Sequence, residues 1–488
     1  MTQQATPDDA SALPPTAAPP SDPQKPEAPA GQGVLREMLE SSWLVSLLAI
    51  VAALILGGVL IAAADPAVQE AASYFFARPS DFFQAVWDAV FGAYAALFQG
   101  AVLNVDAPDV SRALRPLPEP MRGAPPGGRA GRGRGLGGRG VGLVAALGPG
   151  AGLTVAAPDV SRALRPLTET MTVATPLILA GLGLGIGFRA GLFNIGAQGQ
   201  IILGGIFAGF VGWTFALPPG LHLLLAVLGA ALGGALWASI AGVLKARTGA
   251  HEVIVTIMLN NIAIYLVAYL LTTKPFQAPG SSNPISPRIP GNAQFPLLLG
   301  EGFRLHAGFV LALLVAVGVW WLMERSTLGF RFRAVGENPH AARTAGMSVP
   351  WTTVWVMAIA GALAGLAGSA QVLGTEHVLT AGVAASFGFD AITVALLGRS
   401  RPLGTVLAGL LFGALRAGGF VMQARTGTPI DIVLVVQSLI VLFIAAPPLV
   451  RAIFRLPTPG GPTRAERQAA RRRAKAVPTT TTTQEAGA

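Results

Sequence analysis

Five histidines and no cysteine limit the chemistry this chain can carry. Without a thiol there is no disulfide framework, no thiolate metal site and no cysteine nucleophile. His222, His251, His306, His340 and His377 lie far apart, and none begins an HExxH or HxH pair, so a metal centre lacks a ligand set. No G-x-x-x-x-G-K-[ST] loop is present to cradle phosphates, and no acid, base and nucleophile converge as a hydrolase or transferase would need. The side chains that stand out are amides and a few charges set in strongly apolar sequence: Asn194, Gln198 and Gln200, then Asn260, Asn261 and Tyr265, then Gln371, and Asp390. A buried amide needs a hydrogen-bonding partner, which is either a neighbouring helix or a water-filled pathway with a polar solute in it. Both readings are open for each residue. Glu376, His377 and Asp390 are also the groups that could relay protons.

A second polar segment, 327–349, has the composition of a docking element. Asn338 is suited to cap a short helix with Pro339 in its first turn, and Gly346 to end it. The alternative is a merely solvated loop. If the segment docks a partner, Gly336→Arg or Ala342→Asp is expected to uncouple that partner without unfolding the chain.

These residues must be positioned by membrane helices. Of 488 residues, 52% are hydrophobic and only 12% charged, half the charged fraction usual in soluble proteins. Trp43 to Ala64 is uncharged, and at 1.5 Å per residue it reaches about 33 Å, enough for the hydrocarbon core. Further spans are expected near 171–188, 195–217, 221–243, 254–273, 307–323, 351–373, 386–398, 403–421 and 429–450, about ten in all. The 386–398 stretch is short and reads as a re-entrant or broken helix. The fold class is therefore all-α, a polytopic membrane protein. Alternation with the N-terminus inside puts Arg189, Lys245, Arg247, Arg325, Arg331, Arg333, Arg343, Arg399 and Arg401 in the cytoplasm. It leaves Lys274, Arg288, Arg304, Arg416 and Arg425 outside, a bias that favours both termini inside.

Residues 1–42 form a proline-rich tail without the order of a secretory signal, expected to be disordered and cytoplasmic. Residues 65–170 form an external region. Within it, 71–103 carries seven aromatic Phe and Trp residues and suggests one or two amphipathic helices at the outer interface, and Asp81 and Asp88 argue against a further span. The sequence APDVSRALRPL occurs at 107–117 and again at 157–167, with a Gly and Arg tract between. That pattern marks a local duplication in an external loop, and the tract lacks aromatics for stacking bases. The transmembrane core is 171–450 with its docking loop at 324–350, and 451–488 is a basic cytoplasmic tail suited to anionic lipid headgroups. The formal charge of +10 resides in 105–140 and 451–488 and is no footprint for nucleic acid.

Three motifs in order carry a resemblance: FRAGLFNIGAQGQ at 188–200, GENPHAARTAG at 336–346 and GFDAITVALLG at 388–398. Together they resemble permease subunits of ABC importers in the branched-chain amino acid and simple-sugar permease superfamily. The similarity is strongest to the nucleoside and simple-sugar branch that works with basic membrane lipoprotein-type binding proteins. The resemblance implies a transporter subunit, not an enzyme, moving a nucleoside or simple sugar across a bacterial inner membrane. It implies a coupling helix built from Gly336, Glu337, Asn338, Pro339, Ala341, Ala342, Arg343 and Gly346, docking on a separate ATPase subunit that uses ATP and Mg. It also implies a second permease subunit, of a different chain, and an extracytoplasmic substrate-binding lipoprotein. The pathway would be lined by Asn194, Gln198, Gln200, Asn260, Asn261, Tyr265, Gln371 and Asp390. Two departures stand out, the 105–156 insertion and the Ser400–Arg401 pair where the family commonly has small or amide residues. The competing reading is an ion-coupled secondary transporter of a small polar solute, which the scarcity of membrane-embedded acids disfavours.

Overall fold

Close helix contact without side chains in the way is what the glycine-rich apolar stretches provide. In the computed structural model, which describes residues 42–102 and 160–456, the helices are α1 Ser42–Ala64, α2 Pro66–Ser73, α3 Pro79–Ala101, α4 Val160–Arg189, α5 Ala197–Thr214, α6 Leu221–Thr248 and α7 Glu252–Leu270. They are followed by α8 Gly308–Arg325, α9 Thr327–Glu337, α10 Pro339–Thr344, α11 Val349–Ser369, α12 Phe387–Leu397, α13 Pro402–Thr426, α14 Asp431–Ala445 and α15 Pro447–Ile453. Among the described residues there is no β-strand, only two isolated bridges, Ile285 with Thr380 and Leu297 with His306. The 1–41 tail, the 103–159 stretch with its first repeat copy, and the tail from 457 lie outside the described residues.

The larger compact unit is Ala49–Ala446, and the described parts of the smaller one are the start of α1 and α15 with its short tail to Leu456. Within the larger unit, α4 and α11 are the inner helices: 83% and 78% of their apolar windows are buried, against 28% for α6 and for α7. The α6 to α11 crossing depends on small residues. A Cβ on Gly234 would stand 2.1 Å from the Gly361 carbonyl oxygen, and one on Gly365 would stand 2.2 Å from that of Ala230. Backbones that close give the dispersion contact on which membrane helix association rests. The outer helices turn apolar faces outward, with Leu224, Leu228, Leu232 and Leu236 on α6 and Leu314, Val317 and Trp321 on α8. These are the faces a bilayer covers.

Among the described residues seven helices are long and apolar enough to cross a membrane, or eight if 431–444 and 447–453 count as one broken span. About ten were expected, and each expected span coincides with a helix, though not every one meets that length and apolarity. Gln198 and Gln200 dilute the apolarity of α5, and α12, at 11 residues, extends only about 16 Å. The α11 helix widens into a π-helical turn at Ala370–Glu376. It then gives way to a chain with left-handed backbone at His377 and Ala385 before α12 begins. Loop residues cover this break: the amides of Ile289, Phe295 and Ser286 donate to the carbonyls of His377, Leu373 and Leu379.

The aromatic 71–103 stretch forms α2 and α3. Asp65 caps α2 by accepting from the Ala67 and Val68 amides. The α3 helix lays its Ala93, Ala96 and Gly100 face against α13, where Gly100 meets Val421 and Gly418, and turns Phe83, Trp87, Phe91 and Phe98 outward. The Tyr94 hydroxyl donates to the Leu54 carbonyl of α1. The last residue of α3 is bound to α4, since Thr170 Oγ1 donates to the Ala101 carbonyl at 2.7 Å. The α4 helix begins at Val160, so the second repeat copy enters it and Pro166 lies inside it.

Candidate functional site

Most of the apolar-segment amides are braces. The chain between α4 and α5 turns through Gly191, whose φ is +70°. Asn194 is fully buried there; its Oδ1 accepts from the Gly196 amide at 2.8 Å, and its side chain pairs with that of Gln200 at 3.2 Å. Asn260 on α7 accepts from the Gly199 amide at 2.8 Å and donates to the Ile195 carbonyl at 2.9 Å. Gln198 donates to the Ala385 carbonyl at 2.6 Å and accepts from the Gly388 amide at 3.0 Å, which ties the start of α5 to the start of α12. With their carbonyls and amides engaged by protein, Asn194, Gln198, Gln200 and Asn260 hold helices together in this structure. Gln371 is buried in the π-helical turn.

Asn261 and Tyr265 face the other way. One residue advances a helix by about 100°, so Asn261 emerges on the exposed side of α7 while Asn260 is buried. Tyr265 is 75% exposed, and Tyr269, one turn further and not anticipated from sequence, is 65% exposed. Repetition of tyrosine at i+4 was the available signal.

Asp390 is paired. Arg416 of α13 donates to its Oδ2 at 3.1 Å and to Ser386 Oγ at 3.0 Å, Ser386 donates to the same carboxylate at 2.8 Å, and the guanidinium stacks over the Phe387 ring at 4.5 Å. Arg416, counted among the external charges although inside the expected 403–421 span, is mid-helix and half-buried or better, and drops out of the loop-charge comparison. A lone arginine within an apolar run demands an acid, and Asp390 was the nearby one.

At the other end of α4 lies the docking element. Asn338 Oδ1 accepts from the His340 and Ala341 amides, both at 3.0 Å, Pro339 opens α10, and Gly346, with φ of +79°, ends it as the Met347 amide donates back to the Ala342 carbonyl. Glu337, Asn338, Pro339, His340, Ala341, Arg343 and Gly346 are exposed and Ala342 is buried. The preceding residues form α9, capped by Ser326, a helix within the segment expected to be a loop. Glu324 of α8 accepts from Arg189 at 2.7 Å and Arg333 at 2.9 Å, fastening α4, α8 and α9. Gly336 lies so close to the α4 terminus that a Cβ would stand 2.6 Å from the Arg189 carbonyl oxygen. Gly336→Arg and Ala342→Asp therefore disturb packing, contrary to the expectation that they leave the fold intact.

On the opposite side, His306 is buried under Phe295 and the π-helical turn. The Gly308 amide donates to its Nδ1 at 3.1 Å, which puts the ring proton on Nε2, facing Thr375 Oγ1 at 3.5 Å. Burial, with the charges of His377 and Arg304, pushes its pKa down to about 4. His377 is lowered too, first by burial and then by Arg288. Two sizeable cavities lie elsewhere, one of about 480 Å³ beside Asp65, Asp81 and Asp88 and one of about 810 Å³ between α1 and α3. Neither reaches the amides.

The family model described as branched-chain amino acid transport system, permease component, matches residues 167–445, from α4 to the end of α14. The chain belongs to this permease family. The permease is 42% identical to the guanosine ABC transporter permease protein NupP of Bacillus subtilis over 267 residues, 54% of this chain and 77% of that protein. It is 38% identical to the glucose ABC transporter permease protein TsgB13 of Haloferax volcanii over 265 residues, 52% of this chain and 70% of that protein. A second guanosine ABC transporter permease protein of Bacillus subtilis, NupQ, is 28% identical over 235 residues, 46% of this chain and 72% of that protein. No solved structure matches the chain. The permease is a multi-pass membrane protein and a transporter subunit.

Proposed function

We propose that this permease is the membrane subunit of an ATP-driven importer that brings a nucleoside or simple sugar across the bacterial inner membrane. The observation that carries the reading is the exposed, doubly capped α10, held to the amide-braced α4–α5 turn through α9. A separate ATPase subunit binds ATP and Mg and docks on α10, and its movement reaches α4 and α5 through the Gly336 contact and the Glu324 ion pairs. Both termini and α10 are cytoplasmic, and an extracytoplasmic lipoprotein delivers substrate on the His306 side. A second permease subunit faces α7. That pairing draws support from the two different guanosine permeases of one Bacillus species, both similar to this chain. The substrate classes follow the relatives named for guanosine and glucose. Pairing of Asp390 with Arg416 disfavours the ion-coupled alternative, since a proton carrier in that position would have to give up its counter-ion. Cells expressing the chain with its genomic neighbours are expected to accumulate labelled nucleoside or sugar only while the ATPase gene is intact. Undiminished uptake after its deletion would overturn the proposal.

A further inference from the structure

We infer that α7 reads the cargo, with Asn261, Tyr265 and Tyr269 forming a stripe on which the base of a nucleoside stacks as it crosses. This rests on the permease reading and narrows its substrate to nucleosides. Residues four apart share a helix face, so these three stand one above another, and exposed Thr272 continues the line past the helix end. Asn261 falls at the middle of a 19-residue apolar helix, the depth where an amide facing hydrocarbon costs most. Its Nδ2 bonds to the Ile257 carbonyl of its own helix at 3.1 Å, and no described hydrogen bond reaches its carbonyl oxygen. The face therefore borders a wet pathway, not lipid alone.

A headgroup belt accounts for a tyrosine at the helix end, as at Tyr269. It does not account for Tyr265 a turn deeper and Asn261 a turn deeper again. Aromatic rings that offer a face, beside an amide that offers a donor and an acceptor, match the two surfaces of a nucleobase, its π-face and its hydrogen-bonding edge. A hexose has no flat π-face to stack. The other half of the α7 face carries Ile254 and Met258, so the polar contacts are confined to the half that leads toward the loop after Leu271.

The test uses cells carrying the whole import system, with this chain parental or altered, and labelled guanosine, adenosine and uridine beside labelled glucose and ribose at sub-saturating concentration. Tyr265→Leu and Asn261→Leu are each expected to lower nucleoside uptake about tenfold. Tyr265→Phe, which keeps the ring, should remain within about twofold of the parent. Recovery of each variant in the membrane is measured alongside, and Tyr269→Leu serves if Tyr265→Leu is poorly recovered. Parental nucleoside uptake unchanged by the leucine variants overturns the stripe. Parental uptake of sugars but of no nucleoside overturns the base reading and leaves the permease reading standing, as uptake of neither class overturns the base reading. Uptake that survives deletion of the ATPase gene overturns the permease reading itself.

Discussion

His306 is kept neutral by its surroundings, and that has a pH consequence. Its pKa falls from 6.5 in the unfolded chain to about 4 in the fold. Between those values the unfolded chain binds a proton that the folded one refuses, so the contribution is complete above pH 6.5 and is lost as pH falls toward 4. A proton on Nδ1 would also point at the Gly308 amide that now donates to it. The melting temperature of the detergent-purified permease should drop on acidification through this window. His306→Asn, whose carbonyl oxygen can still accept from Gly308, should drop less, and equal drops would remove His306 as the cause. The Asp390–Arg416 pair gives a second residue-scale expectation. Removing one partner of a fully buried pair costs about 3–5 kcal/mol, and this pair, about a fifth exposed, should lose a part of that. Arg416→Leu should therefore melt well below the parent and Arg416→Leu with Asp390→Leu should recover much of the loss; a double variant no better than the single would argue against the pairing.

At the scale of elements, α10 is set by its caps and its exposed face. Asn338→Ala removes an acceptor for two amides and should cost about 1 kcal/mol locally, fraying α10 while the melting temperature stays near parental. Arg343→Glu reverses an exposed charge on α10 without touching the packed Gly336 and Ala342, and is expected to abolish uptake with the chain still folded. Parental uptake in Arg343→Glu would argue against docking through this helix. The α10 caps and the α12 break were legible in the sequence, because Asn-Pro, a following Gly and an apolar run too short to cross are local signals. The direction of each amide was not. Asn260 and Asn261 are adjacent, and only the phase of α7 against α5 decides which is buried and which is exposed. The partner of Arg416 was hidden for the same reason, since Asp390 is on another helix. The start of α4 was set late because the residues before 171 are polar, yet they add turns that meet the loop, with Arg165 bonded to the Gly302 carbonyl and Glu169 to Arg304.

Across the whole molecule the division of labour is between buried helices that carry the braces and outer helices that meet lipid or partners. The contact between Thr170 and Ala101 belongs to this scale. It ties the end of α3 to α4 about 15 Å along from Val160, where that helix begins. A loop whose supports are already fastened to each other by helix packing adds contour but need not hold them apart. The repeat-bearing segment should thus be excisable: replacing 105–156 with a short glycine and serine bridge is expected to leave melting temperature and uptake near parental. A collapse of both on excision would mean that the inserted chain is a strut. If they persist, the insertion is a graft on a finished scaffold, a natural place for evolution, or an engineer, to hang new sequence.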